Sequence, residues 1–106
     1  MATLKLGLLL STPPSHPSVE TVVQLAQAAL RRGVEVYLYL IDEGVKTATD
    51  QRYLGLIDAG VKISVCAYGC QQYGVPTATI DSRTSLSGLV VLSGIIDGCD
   101  RFLAFT

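Results

Sequence analysis

The sequence predicts an α/β fold: a single-domain, doubly wound, mainly parallel sheet of four or five strands with helices on both faces. Short apolar segments alternate along the chain with segments whose apolar residues recur at helical spacing. Glycine, proline and acidic residues separate these segments, as is usual where strands and helices end. The 106 residues are enough for one hydrophobic core, so we assign residues 1–106 to one domain.

Five segments have the length and composition of strands. The first is almost continuously apolar and ends before a proline-rich loop, which suits a buried strand of a parallel sheet. In the third, apolar residues alternate with Lys62, Ser64 and Cys66, so these three side chains should share one face. The predicted strands are 4–10, 34–41, 61–66, 77–80 and 101–105.

Four segments have helical spacing. Ser18 is predicted to cap the first helix and Ser85 the last, and the second helix begins near Thr49 or Asp50. A glycine follows each helix and favours its termination. The predicted helices are 18–32, 50–60, 67–73 and 85–97.

The composition indicates a self-associating protein that works without a membrane or a nucleic acid. Hydrophobic residues make up 49% of the chain and charged residues only 16%. The last helix is apolar almost all round, so one side can face the sheet while the other needs a second copy. No apolar run is long enough to span a membrane. A net charge of −1 without a basic cluster argues against nucleic acid binding.

The cysteines indicate a reducing compartment and one candidate catalytic residue. Three cysteines, an odd number, do not form a disulfide framework, so a cytoplasmic location is expected. Cys66 ends the third strand and precedes a helix, where backbone N–H groups and the helix dipole stabilise a thiolate. A structural cysteine at a strand end is an equally good interpretation of that position alone. No phosphate loop, dinucleotide fingerprint or metal-ligand spacing is present, so we expect no cofactor and no metal.

Other side chains are candidate neighbours of this thiol. Cys70 lies one helical turn after Cys66 and is a candidate second thiol, although an inert cysteine on the helix face explains it equally well. His16, Glu43 and Tyr68 are candidate site neighbours. His16 lies in a proline-rich loop, where a solvated side chain is the more common role of a histidine.

The order of several short motifs resembles the DsrE/TusD (DsrE/DsrF-like) sulfur-relay family. Segment 59–66, AGVKISVC, with Gly74-Val75 beyond it, resembles the family's active-site segment. Segment 42–45, DEGV, is similar to its acidic-Gly-Val step after the second strand. Segments 85–89 and 99–105 resemble its closing helix and strand, so the likeness covers nearly the whole chain as one DsrE-like domain.

The resemblance implies a sulfur-relay protein, a sulfurtransferase or persulfide carrier, that receives sulfane sulfur on Cys66 and passes it on. Its implied partners are sulfur-donor and sulfur-acceptor proteins, and family members form trimers or hexamers, some with sister subunits. The stretch between the second strand and the second helix is shorter than in the subunits used for tRNA thiolation, and Cys70 has no counterpart in single-cysteine members. Two alternatives stay open: a non-catalytic oligomeric scaffold or regulatory subunit, and a Cys66/Cys70 dithiol redox protein.

Overall fold

The computed structural model describes residues 3–106, which form a five-stranded, all-parallel sheet with helices on both faces. The strands are β1 (Lys5–Leu10), β2 (Glu35–Leu40), β3 (Lys62–Cys66), β4 (Ser85–Ser87) and β5 (Arg101–Phe105). The helices are α1 (Ser18–Arg31), α2 (Gln51–Ala59), α3 (Ala67–Gln72) and α4 (Leu89–Gly98), with 3-10 segments at Asp42–Thr49 and Thr77–Thr79. The strand order β4-β3-β2-β1-β5 confirms the predicted α/β fold.

The main core lies between one face of the sheet and helices α1 and α2. Alternate residues of each inner strand face these helices, because successive side chains of a strand point to opposite faces. The Tyr53 hydroxyl of α2 donates to the Val19 carbonyl of α1 at 2.9 Å, which fixes the two helices against each other. Fully buried residues of this layer include Leu8, Leu10, Val19, Val22, Ala26, Leu38, Leu40 and Val65.

Helix α4 lies on the opposite face and approaches β1 closely at Gly7. A β-carbon added at Gly7 would meet Phe102 Cδ1 at 2.8 Å and Ile95 Cγ2 at 3.0 Å. The missing side chain therefore lets α4 and β5 pack directly on the β1 backbone. Ile95 is the one buried residue of α4, so much of this apolar helix faces outward.

The structure corrects two of the predicted segments. Ser85 was predicted to cap the last helix, but it begins strand β4, whose three residues pair with β3 as Ser64↔Ser85 through Cys66↔Ser87. Helix α4 begins only after Gly88. The predicted strand at 77–80 is also wrong, because the chain forms a 3-10 turn there that places Thr79 Oγ1 at 2.6 Å from the Pro76 carbonyl.

The start of α1 matches the prediction, but its cap does not. The Ser18 hydroxyl meets Thr12 Oγ1 at 2.7 Å and does not accept a backbone N–H of the helix. Instead, His16 Nδ1 accepts from the Ser18 backbone N–H at 3.1 Å. The second helix begins where predicted, near Asp50, which is its N-cap and accepts from the Arg52 backbone N–H at 2.8 Å.

Candidate functional site

The Cys66 thiol lies where the sheet meets a helix N-terminus. Cys66 is the last residue of β3 and the N-cap of α3, and its Sγ accepts the Gly69 backbone N–H at 3.4 Å. A backbone N–H that points at sulfur stabilises negative charge on it. The side chain is buried, with 7% of its surface exposed. The fold thus places a backbone N–H against the sulfur at the position that the sequence indicated.

Gly69 allows the first turn of α3 to sit this close to the thiol. A β-carbon at Gly69 would meet Val45 Cγ1 at 2.9 Å and would lie 3.6 Å from the Asp42 backbone nitrogen. The 3-10 segment after β2 therefore packs directly against the backbone that donates to Cys66. Any side chain at this position would push α3 away from that segment.

A cavity of about 350 Å³ opens in front of Cys66 at the carboxyl ends of the strands. This end of an open parallel sheet is where such folds bind ligands. Tyr68 stands at the cavity with 71% of its surface exposed. Asp42 lines the same cavity in a left-handed backbone conformation, φ 52°. The lining residues are Ile41, Asp42, Cys66, Ala67, Tyr68, Gly69, Ser87, Gly88 and Leu89.

The cavity in front of Cys66 carries one acidic side chain and, among residues 3–106, no lysine or arginine in its wall. The Asp42 carboxylate makes no ion pair with the described residues. A small anion would therefore meet repulsion here with no compensating cation.

Tyr39 belongs to the site although the sequence did not indicate it. Its side chain is fully buried, and its hydroxyl donates to the Ser87 carbonyl of β4 at 3.5 Å. Burial, with a smaller contribution from the neighbouring Cys66, raises the pKa of Tyr39 to about 12. The hydroxyl thus reaches from β2 across β3 to the level of the thiol. Only the strand order β2-β3-β4 reveals this contact, so no signal in the sequence pattern could have identified it.

The two other cysteines lie away from the cavity. Cys70 is 1% exposed, and burial raises the pKa of its thiol, with a second contribution from Cys66. Cys99 is half-buried in a separate cavity beneath α4, and burial raises its pKa as well. All three cysteines are free thiols. Cys70 therefore stays a prediction as a second thiol, and it is held in the protonated form more firmly than an exposed cysteine.

Of the three side chains predicted to neighbour Cys66, one lines the cavity and two lie outside its wall. Tyr68 lines the cavity in front of Cys66. His16 is exposed at the start of α1, where it bonds to Ser18, and it is not among the lining residues. Glu43 pairs with Lys46 at 3.2 Å and also lies outside the lining, while the preceding Asp42 contributes to it.

The described residues form neither a metal-ligand cluster nor a membrane-spanning helix. Within residues 3–106, no three His, Cys, Asp or Glu side chains lie together as a metal site would require. The helices of this part of the chain are all too short or too polar to cross a membrane.

Solved structures with the same fold come from bacteria and an archaeon. The ychN protein from E. coli has 16% sequence identity and a TM-score of 0.83, with 98% of this chain and 100% of that chain covered. BT1422 from Bacteroides thetaiotaomicron has 18% identity and a TM-score of 0.78, covering 95% and 94%. MTH1491 from Methanobacterium thermoautotrophicum has 13% identity and a TM-score of 0.74, covering 94% and 98%. At these identities the likeness establishes the fold.

Comparison with curated protein sequences gives no significant match. The family model of the DsrE/DsrF-like family, however, matches residues 5–105, from the first residue of β1 to the last residue of β5. This match includes Cys66 and every element that surrounds the cavity, and it agrees with the fold of the solved structures. The chain belongs to the DsrE/DsrF-like family.

Proposed function

We propose that this protein is a sulfur-relay protein that accepts sulfane sulfur as a persulfide on Cys66 and passes it to an acceptor. The observation that carries the proposal is the Cys66 thiol at the mouth of a cavity, with its sulfur accepting the Gly69 N–H at 3.4 Å. Thiolate is the form that attacks sulfur, and this position stabilises it. Membership of the DsrE/DsrF-like family supports the same chemistry.

The proposed transfer is a thiol–persulfide exchange without net oxidation. The Cys66 thiolate attacks the terminal sulfur of a donor persulfide, R–S–SH, and forms a new S–S bond while the donor's S–S bond breaks. The donor leaves as the thiolate R–S⁻, and Cys66 carries S–SH. An acceptor thiolate then attacks that terminal sulfur, so the bond to Cys66 breaks and the Cys66 thiolate is regenerated.

The charge of the cavity favours a persulfide carried by a protein over a small anionic sulfur compound. Asp42 is the charged side chain of the wall, so an anion such as thiosulfate would bind against electrostatic repulsion. A persulfide on a donor protein is delivered by contacts between the two proteins, and these contacts offset a repulsion that a free small anion meets alone. We place the reaction in the cytoplasm, where the three free thiols would stay reduced.

Intact-mass spectrometry after incubation with a donor protein that carries a cysteine persulfide tests the function. The wild-type protein should gain the mass of one sulfur, and Cys66→Ser should gain none. Cys70→Ser and Cys99→Ser are the matched controls and should load normally. No mass gain in a folded wild-type protein would favour the non-catalytic scaffold, and a loss of two hydrogens would favour the Cys66/Cys70 redox pair.

Self-association of copies of this chain is part of the proposal. The segment that runs from the end of β4 through α4 exposes apolar side chains, which we call the β4–α4 surface: Leu89, Val90, Val91 and Ile96. Each such side chain contributes about 1.5–3 kcal/mol when it is fully buried. Leu89 also lines the cavity of Cys66. A second copy packed on the β4–α4 surface would therefore also shield the sulfur from water.

Substitution on the β4–α4 surface tests this assembly, which family resemblance suggests to be a trimer or hexamer. Val90 is 87% exposed in the single chain, so Val90→Lys should leave the fold intact and weaken association. Gln24→Lys, on the exposed side of α1, is the matched control. Light scattering should give an oligomer for the wild type and the control and a smaller species for Val90→Lys. A wild-type monomer at micromolar concentration would contradict self-association.

A further inference from the structure

The hydroxyl of Ser87 has no hydrogen-bond partner although it is buried beside Cys66. The Ser87 Oγ atom is inaccessible to solvent and makes no hydrogen bond within the described residues. Ser87 pairs with Cys66 in the β3–β4 register and lines the same cavity. A buried hydroxyl without a hydrogen-bond partner lowers the stability of the fold. Its presence at this position indicates a partner that is bound only while the protein carries out its function.

The hydroxyl of Tyr39, in the same region, makes a long hydrogen bond. Its distance to the Ser87 carbonyl is 3.5 Å, whereas O–H···O hydrogen bonds are usually about 2.7–2.8 Å. The Tyr39 side chain is fully buried, so bulk water does not reach its hydroxyl. Tyr39 pairs with Ser64, which places its side chain on the same sheet face as Cys66.

Both hydroxyls belong to residues on the sheet face that carries the Cys66 thiol, and Cys66 is close enough to Tyr39 to raise the pKa of its hydroxyl. The S–S bond of a persulfide places the terminal sulfur about 2 Å beyond Sγ. The Gly69 N–H already donates to Sγ itself, so the inner sulfur has its donor. The terminal sulfur, when it is deprotonated, needs donors of its own in this buried site.

We propose that the Tyr39 and Ser87 hydroxyls donate hydrogen bonds to the terminal sulfur of the Cys66 persulfide and hold it as the anion. This role rests on the proposed function of Cys66. An anionic terminal sulfur is attacked slowly by a second thiolate, because like charges repel. The two hydroxyls thus retain the sulfur until an acceptor protein docks and supplies the proton that makes the terminal sulfur reactive.

The test measures how fast the loaded protein loses its sulfur to β-mercaptoethanol, a small neutral thiol. Tyr39→Phe and Ser87→Ala should each release sulfur about tenfold faster than the wild type, the effect of losing a hydrogen bond to a charged group. Tyr37→Phe and Ser85→Ala are matched controls on the same strands and face and should release at the wild-type rate. Release from Tyr39→Phe and Ser87→Ala at the wild-type rate or below it would overturn the proposal.

Two controls separate this role from folding and from the function of Cys66. Ser87→Ala removes an unpartnered hydroxyl, so the unloaded variant should be as stable to urea as the wild type or more so. The rate of Cys99 alkylation reports general loosening and should be unchanged in both variants. A wild-type protein that takes up no sulfur would refute the proposed function, whereas normal loading with unchanged release refutes only the hydroxyl pair.

Discussion

Replacement of Gly69 by alanine should disturb the Cys66 site through a single added methyl group. The new β-carbon would lie 2.9 Å from Val45 Cγ1, closer than packed carbon atoms tolerate, and Val45 is fully buried. Overpacking of this kind costs about 1–3 kcal/mol. Alanine recovers about 0.5–1 kcal/mol because it restricts the unfolded chain and favours a helix. We expect a net loss of about 0–2.5 kcal/mol in the free energy of unfolding.

Gly55→Ala in α2 is the matched control for Gly69→Ala. Nothing lies within 4 Å of a β-carbon at Gly55, so this variant should gain about 0.5–1 kcal/mol from helix propensity alone. The difference between the two alanine variants in urea denaturation therefore isolates the overpacking cost. In a double-mutant cycle, Val45→Ala should relieve part of that cost and give a coupling of about 0.5–3 kcal/mol.

The same methyl group should slow sulfur loading. It pushes α3 away from the 3-10 segment and so lengthens the 3.4 Å contact from the Gly69 N–H to Cys66 Sγ. Loss of one hydrogen bond to a charged sulfur corresponds to about tenfold in rate. Gly69→Ala with the stability gain of Gly55→Ala and an unchanged loading rate would refute the packing of α3 described here.

Two further predictions concern charge. Asp42→Asn should raise the rate at which anionic iodoacetate alkylates Cys66, relative to the rate with neutral iodoacetamide. The increase should be at most about fivefold, which is the effect of a unit charge ~4 Å away in a water-like dielectric. An unchanged ratio of the two rates would show that Asp42 does not act on the electrostatics of the cavity. The side-chain hydrogen bond from Arg52 lowers the pKa of Asp50, so its stabilising effect is present above the unfolded pKa of about 3.9 and is lost as the pH falls through the folded value. Asp50→Asn, which keeps the helix cap, should therefore flatten the decrease of stability below about pH 4 in urea titrations, and a wild-type acid dependence in this variant would contradict the assignment.

The sequence predicted the α/β fold and the place of Cys66 because both depend on local patterns. Apolar runs and helical spacing identified β1, β2, β3 and the helices, and a cysteine at the end of a strand needs no tertiary information to be located. Strand β4 was missed because its three residues, Ser85–Ser87, carry no hydrophobic pattern. They form a strand only because β3 offers a free edge for parallel pairing.

The remaining parts of the site could not be predicted because they depend on contacts between distant segments. The Tyr39 hydroxyl and the Ser87 carbonyl are 48 residues apart in the chain, and they meet only through the strand order β2-β3-β4. The same holds for Gly69 against Val45, where a 3-10 segment that the sequence did not indicate provides the packing surface. His16 and Glu43 share their end of the sheet with Cys66, but the wall of the cavity is formed by other residues.

The most direct test of the sulfur-relay function follows one labelled sulfur atom through the protein. The wild-type protein is loaded from a donor carrying radiolabelled persulfide, freed of donor, and mixed with an acceptor thiol, while Cys66→Ser and Cys70→Ser are treated in parallel. We predict that the label binds stoichiometrically to the wild type and to Cys70→Ser, then leaves for the acceptor, and that Cys66→Ser never takes it up. Label bound equally well by Cys66→Ser, or held by the wild type and never released to an acceptor, would contradict the function proposed for Cys66.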